Sequence, residues 1–132
     1  MTFNVILWYN KGNKGQGGMD MCTRNQALDI FSQAYRLCSD LFADKLTDAY
    51  LYGSYARGDF DSESDVDIIL VSALPADAIW PKRRQISRIA NAVSLDHDVT
   101  VSVCVRSREQ FQPQWMPYYR NVINDGIRYS RA

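Results

Sequence analysis

The segment Asp65–Ser72, DVDIILVS, constrains the fold of this chain most strongly. Its Val and Ile content reads as a β-strand. Residues two apart in a strand point to the same side. Val66 and Ile68 therefore turn into a core, while Asp65 and Asp67 turn together the other way, with Cα atoms roughly 6.5 Å apart. A strand of this kind needs neighbours to cover its apolar side, and the rest of the sequence supplies them.

A helix is expected from Thr23 to about residue 43. Thr23 and Gln26 have capping-box spacing, and Ala27, Phe31, Ala34, Cys38, Leu41 and Phe42 recur at three- and four-residue steps. Leu46–Ser54 reads as a short strand that ends in a turn. Ala73–Trp80 contains Pro75 and reads as a loop. Pro81 can open a second helix, whose buried stripe is Ile86, Ile89, Ala90 and Val93. Asp98–Val105 alternates strictly, placing Val99, Val101, Val103 and Val105 on one face. Pro117 opens a third helix, with Tyr118, Val122 and Ile123 expected inward and Gly126 past its end. The order is helix, strand, strand, helix, strand, helix. It predicts an α+β (mixed α/β) domain, a small mixed sheet packed against helices that lie mostly on one face.

A chain of 132 residues is one domain by length, and its 46% hydrophobic and 23% charged content suits a folded core. The 15 basic and 15 acidic residues balance. A protein devoted to gripping nucleic acid carries a basic excess, which disfavours that class while leaving nucleic acid open as an acceptor. Lys82-Arg83-Arg84 is the only basic run; it reads as a solvated first helical turn, with a local phosphate or RNA patch as the alternative. Cys22, Cys38 and Cys104 are odd in number and far apart, arguing against a disulfide framework and a thiolate zinc site. Without a membrane-length apolar run or a visible signal peptide, a cytoplasmic protein with no membrane partner is expected. Residues 1–18 differ from the rest. Thr2–Tyr9 could form a strand, and Lys11–Gly18 (KGNKGQGG) reads as a flexible leader without phosphate-loop spacing. Met19 or Met21 could be a natural start, so the domain proper is taken as 19–132.

The chemistry concentrates in Gly53–Leu70, GSYARGDFDSESDVDIIL. Gly53 allows close backbone approach to a ligand, and Ser54 adds a hydroxyl beside exposed amides. Free N–H groups at a turn that opens into a helix form an anion site. Two carboxylates on one strand face repel each other and favour a cation between them. Oxygen-rich sites of that type suit Mg²⁺, which binds through one or two carboxylates plus substrate phosphates. A pair of such ions can activate an attacking hydroxyl and stabilise a leaving oxygen. A lone D-x-D reads more simply as solvated acids at a strand edge; the joint pattern is more specific.

That joint pattern resembles the signature of the minimal nucleotidyltransferases of the DNA polymerase beta superfamily: G-S-x-A-R-G, a short gap, then S-D-x-D before apolar residues. Gly53, Ser54, Ala56, Arg57, Gly58, Ser64, Asp65 and Asp67 all match. The resemblance implies a polymerase-beta-like fold and transfer of a nucleoside monophosphate, AMP in the first instance, from a nucleoside triphosphate to a hydroxyl, with release of pyrophosphate. By it, Gly53, Ser54, Arg57 and Ser64 bind the nucleotide, ATP being the expected one, and Asp65 and Asp67 bind two Mg²⁺ ions. Arg57 could equally form a structural salt bridge.

The family adds a third carboxylate on a neighbouring strand. Asp98 is the candidate for that catalytic and metal-binding place, with Ser102 as the alternative. In the second case nucleotide could bind yet turn over poorly. The resemblance also implies a partner, because similar small proteins act as antitoxins beside a helical HEPN-domain ribonuclease and some adenylylate it. Modification of a small molecule such as an aminoglycoside would normally call for an extra helical domain. The contrasting class is a catalytically silent module that neutralises a partner by occlusion. His97 reads as a loop-end residue without a role. Trp80, Trp115 and Tyr118-Tyr119 could stack a base, though packing explains them as well.

Overall fold

A computed structural model describes residues 22–114 and 116–129. The expectations for the leader, for Met19 and Met21, and for Trp115 lie outside the described residues.

Helix α1 spans Arg24–Leu41 and starts with the expected reciprocal cap. Gln26 N–H donates to Thr23 Oγ1 at 3.1 Å, and Thr23 N–H donates to Gln26 Oε1 at 2.6 Å. Its inward stripe is Ala27, Ile30, Phe31, Ala34, Tyr35 and Cys38. The chain then reverses through Ala43 and Asp44, both at positive φ, into strand β1, Leu46–Tyr52. A one-turn helix α2, Ser54–Arg57, follows, and then a loop to strand β2, Val66–Ser72. The segment expected to be a plain loop contains a short helix α3, Ala76–Ile79, and a 3-10 turn, Trp80–Lys82. That turn leads into helix α4, Arg83–His97. Strand β3 is Val101–Ser107, helix α5 is Pro117–Asp125, and a two-residue strand β4, Ile127–Arg128, ends the described chain.

The four strands form one mixed sheet in the order β3-β2-β1-β4. Strand β1 runs antiparallel to β2 and β4, whereas β2 and β3 are parallel and joined by the α3–α4 crossover. β2 is thus interior and covered on both faces, which explains its apolar run. On one face Val66, Ile68 and Leu70 join Leu51, Ala49, Val101 and Val105 beneath α1 and α4. On the other, Ile69 and Val71 pack with Tyr50, Phe111, Tyr119 and Val122. Helices therefore lie mostly on one face, as expected, and α5 alone packs over the second, against Tyr50 and Ile69.

Two expectations are corrected. In α5 the inward residues are Tyr119 and Val122, one turn apart, while Tyr118 and Ile123 are exposed. Asp98 does not lie on the third strand. Helix α4 continues through His97, and Asp98 closes it in the left-handed conformation (φ 55°, ψ 45°), which Asp tolerates better than most residues. The helix is carried that far by a tertiary contact. His97 is buried, with Nε2 2.9 Å from Gln33 Oε1 on α1, so it is a helix-to-helix tie and not a loop-end residue. Ser94 then joins helix to strand, its Oγ accepting from Val101 N–H at 2.9 Å.

Candidate active site

Strand β1 delivers the chain to Gly53, whose φ of 79° and ψ of −155° are open essentially to glycine alone. A Cβ built at this position would lie 2.5 Å from Asp67 Oδ2. Glycine is thus required twice, by the backbone and by the carboxylate against it. The chain then makes the single turn α2, in which the N–H groups of Ala56 and Arg57 both donate to Gly53 O at 3.1 Å. Gly58, at φ 92°, ends it in the left-handed region. The turn is anchored from outside the site. Tyr55 Oη donates to Cys22 O at 3.1 Å, Arg24 Nη2 donates to Ala56 O at 3.1 Å, and the Tyr55 ring stacks on Phe60. Ser54 stands at the first position of α2, half-buried. The first amides of a helix have no acceptor within it, which leaves them for a ligand or water.

Asp65 precedes the first residue of β2 and is exposed; Asp67 lies within the strand and is half-buried. The intervening Val66 is already engaged, with its N–H donating to Thr100 O at 2.9 Å. Burial raises the Asp67 carboxyl above the ordinary carboxylate range, and the negative charge of Asp65 adds to this. Arg57 opposes both with its positive charge. The two acids and Arg57 therefore share one electrostatic neighbourhood beside the Gly53 bend. Arg57 also forms an exposed ion pair with Asp59 at 3.3 Å, of the kind that adds little stability. Ser64 is occupied locally: its Oγ accepts from Asp61 N–H at 2.9 Å and closes the turn before the pair.

The sheet register sets what flanks Asp67. Tyr52 is its partner on β1 and Ser102 its partner on β3, so Tyr52, Asp67 and Ser102 form a row across one face. The third position of that row is a hydroxyl. Asp98, exposed at the end of α4, is four residues back along the chain from Ser102 and outside the strand whose alternation was to orient it. Among the described residues no group of three or more His, Cys, Asp or Glu side chains is placed to hold a metal ion. The donors that are present still fit Mg²⁺: two carboxylates are as many as it commonly takes from protein, the remaining positions going to phosphates and water.

Sequence reasoning missed Tyr52. Tyr118 Oη, at the start of α5, donates to Tyr52 Oη at 2.7 Å, and the two rings meet edge to face. Burial, the Tyr118 bond and the Asp67 charge all raise the Tyr52 phenol. Only the antiparallel register makes Tyr52 a neighbour of Asp67; its place before Gly53 was the sole available signal. Trp80 and the Lys82-Arg83-Arg84 run lie elsewhere, at the start of the α4 crossover beyond the Ser72 end of β2. There Arg83 stacks on the exposed Trp80 ring at 4.1 Å. Two clefts in the surface meet at Asp48, four residues along β1 from Tyr52, and neither is lined by Asp65 or Asp67.

A family model described as a nucleotidyltransferase domain matches residues 32–129. Two proteins of Methanocaldococcus jannaschii, each carrying the name "putative protein adenylyltransferase", are 38% and 33% identical to this chain over 78 residues. Those alignments cover 58% of this chain and 76% and 70% of the two relatives. A crystal structure described as that of a "putative nucleotidyltransferase" from Sulfolobus solfataricus superposes with a TM-score of 0.52 at 18% identity. It covers 87% of this chain and 93% of its own, and supports the fold. No helix among the described residues is long and apolar enough to cross a membrane.

Proposed function

Because the chain belongs to the nucleotidyltransferase domain family and is by that membership a transferase, we propose that it moves AMP from ATP to a hydroxyl group on a protein. The observation that carries this reading is the contact between the Gly53 bend and Asp67, which brings the Gly-Ser turn against half of the acidic pair. The names of the two archaeal relatives support a protein acceptor.

Each residue has a part in this reading. The Gly53 bend and the Ser54 hydroxyl hold the triphosphate through backbone amides and one side-chain donor. Arg57 contributes positive charge on the same side. Asp65 and Asp67 would hold Mg²⁺, two ions in the full site, whose charge offsets that of the phosphates and eases loss of the acceptor's proton. The raised Asp67 carboxyl belongs to an acid that is costly to ionise until a cation arrives. Ser64 shapes the turn that presents the pair, so it supports the site indirectly. Asp98 has no part.

The partner we propose is a HEPN-domain ribonuclease encoded beside this chain. A second reading, a silent module that binds nucleotide and blocks its partner by occlusion, is favoured by Ser102 standing where a carboxylate would serve as base. One experiment separates them. The wild-type chain and an Asp65→Ala/Asp67→Ala variant are mixed with Mg²⁺, labelled ATP and the partner, and Mg·ATP binding is measured by calorimetry. Label transfer by wild type alone, with binding lost in the variant, supports the transferase. Equal Mg·ATP affinity in the two chains would falsify the site. Wild type that inhibits its partner yet transfers no label favours occlusion.

A further inference from the structure

We propose that Tyr118 is itself an acceptor, so that the chain places a nucleoside monophosphate on its own phenol oxygen; this rests on the transferase reading above. Tyr118 is 49% exposed at the start of α5, so a nucleotide can reach it. Its hydroxyl is held 2.7 Å from Tyr52 Oη, with the rings 5.9 Å apart and nearly perpendicular. Tyr52 in turn is the cross-strand partner of Asp67. Paired residues on one face have Cβ atoms about 5 Å apart. A single side chain therefore separates the Tyr118 oxygen from the acid proposed to organise the triphosphate.

The chemistry of the row favours a phenol. With Asp65 and Asp67 committed to the cation, Ser102 offers no carboxylate to take a proton from the acceptor. His97 is buried between α1 and α4, beneath the opposite face of the sheet. Neither Ser102 nor His97 supplies a base to an acceptor here, and a phenol gives up its proton far more readily than an aliphatic alcohol. In the step, Tyr118 Oη forms a bond to the α-phosphorus and the bond from that phosphorus to the bridging oxygen breaks. Pyrophosphate leaves with the electron pair, and the phenolic proton passes to water.

The test uses the full chain alone with Mg²⁺ and each common ribonucleoside triphosphate in turn. Intact-mass spectrometry looks for one added nucleoside monophosphate, and peptide mapping locates it. The expected result is an adduct on Tyr118 that disappears in Tyr118→Phe and persists in Tyr119→Phe, whose lost hydroxyl serves Arg106 instead. An adduct on another residue, or one surviving in Tyr118→Phe, overturns the proposal. So does the absence of any adduct. In that case intact Mg·ATP binding leaves the transferase reading standing, and lost binding removes both.

Discussion

Replacing Gly53 with alanine tests the core of the site argument. Two costs follow from the structure. The backbone at φ 79°, ψ −155° lies in a region that a side-chain-bearing residue enters only at about 1–3 kcal/mol. The new Cβ would also stand 2.5 Å from Asp67 Oδ2, so the carboxylate has to rotate away. Leaving a favoured rotamer costs about 0.5–1.5 kcal/mol. The sum is about 1.5–4.5 kcal/mol, which for a domain of this size lowers the melting temperature by roughly 5–20 °C. Gly58→Ala is the control. Gly58 is also left-handed, at φ 92°, but no atom lies within 4 Å of its would-be Cβ. It should lose only the backbone share, about 1–2 kcal/mol. Urea unfolding reads stability, and calorimetry under folding conditions reads Mg·ATP affinity. Gly53→Ala should lose both, and Gly58→Ala stability alone. A Gly53→Ala protein as stable as wild type and with unchanged affinity would refute the bend-to-carboxylate contact.

Ser102→Asp restores an acid opposite Asp67 and should raise transfer on the order of 10²-fold, the lower range for a positioned general base. Asp98→Asn should leave transfer unchanged, and equal effects at the two positions would undo the register argument. In the absence of Mg²⁺, Asp67→Asn should stabilise the fold at neutral pH. Because the folded carboxyl is raised, its favourable contribution is full below the ordinary carboxylate range and is lost as pH rises through the folded value. The gap in melting temperature between variant and wild type should therefore close on acidification; a gap that stays constant with pH is the contrary result. Thr23→Ala removes one half of the α1 cap and should cost about 1 kcal/mol in urea unfolding, with no change in Mg·ATP binding.

What could be read from the sequence was local. The Thr23–Gln26 cap, the apolar run of β2 and the stripe through Ile86, Ala90 and Val93 each depend on residues within a turn or two of one another, and all appear where expected. Features set by distant partners were hidden. The alternation of Val99–Val105 runs back into residues that the His97–Gln33 contact holds in helix, and that displaced Asp98 from the strand. The face of α5 turns on Tyr119 meeting Phe111 and Tyr50, so the adjacent Tyr118 was misassigned inward. Strand β4 is two residues long and is secured by Tyr129 stacking on Tyr35, a contact with no local pattern. In the site, the acidic pair and the Gly-Ser bend were visible as motif residues. Their flanks, Tyr52 and Ser102, depended on register across three strands.

Strand β2 carries the buried Val66, Ile68 and Leu70 on one side and Asp67 on the other, with no spacer between the two duties. A slip of one position would turn the acid into the apolar layer beneath α1 and α4 and take it out of its row with Tyr52 and Ser102. Nucleotide affinity in this protein should accordingly act as a strain gauge for its interior: a substitution beneath α1 that nudges β2 along its neighbours will register as lost ligand before it registers as lost fold.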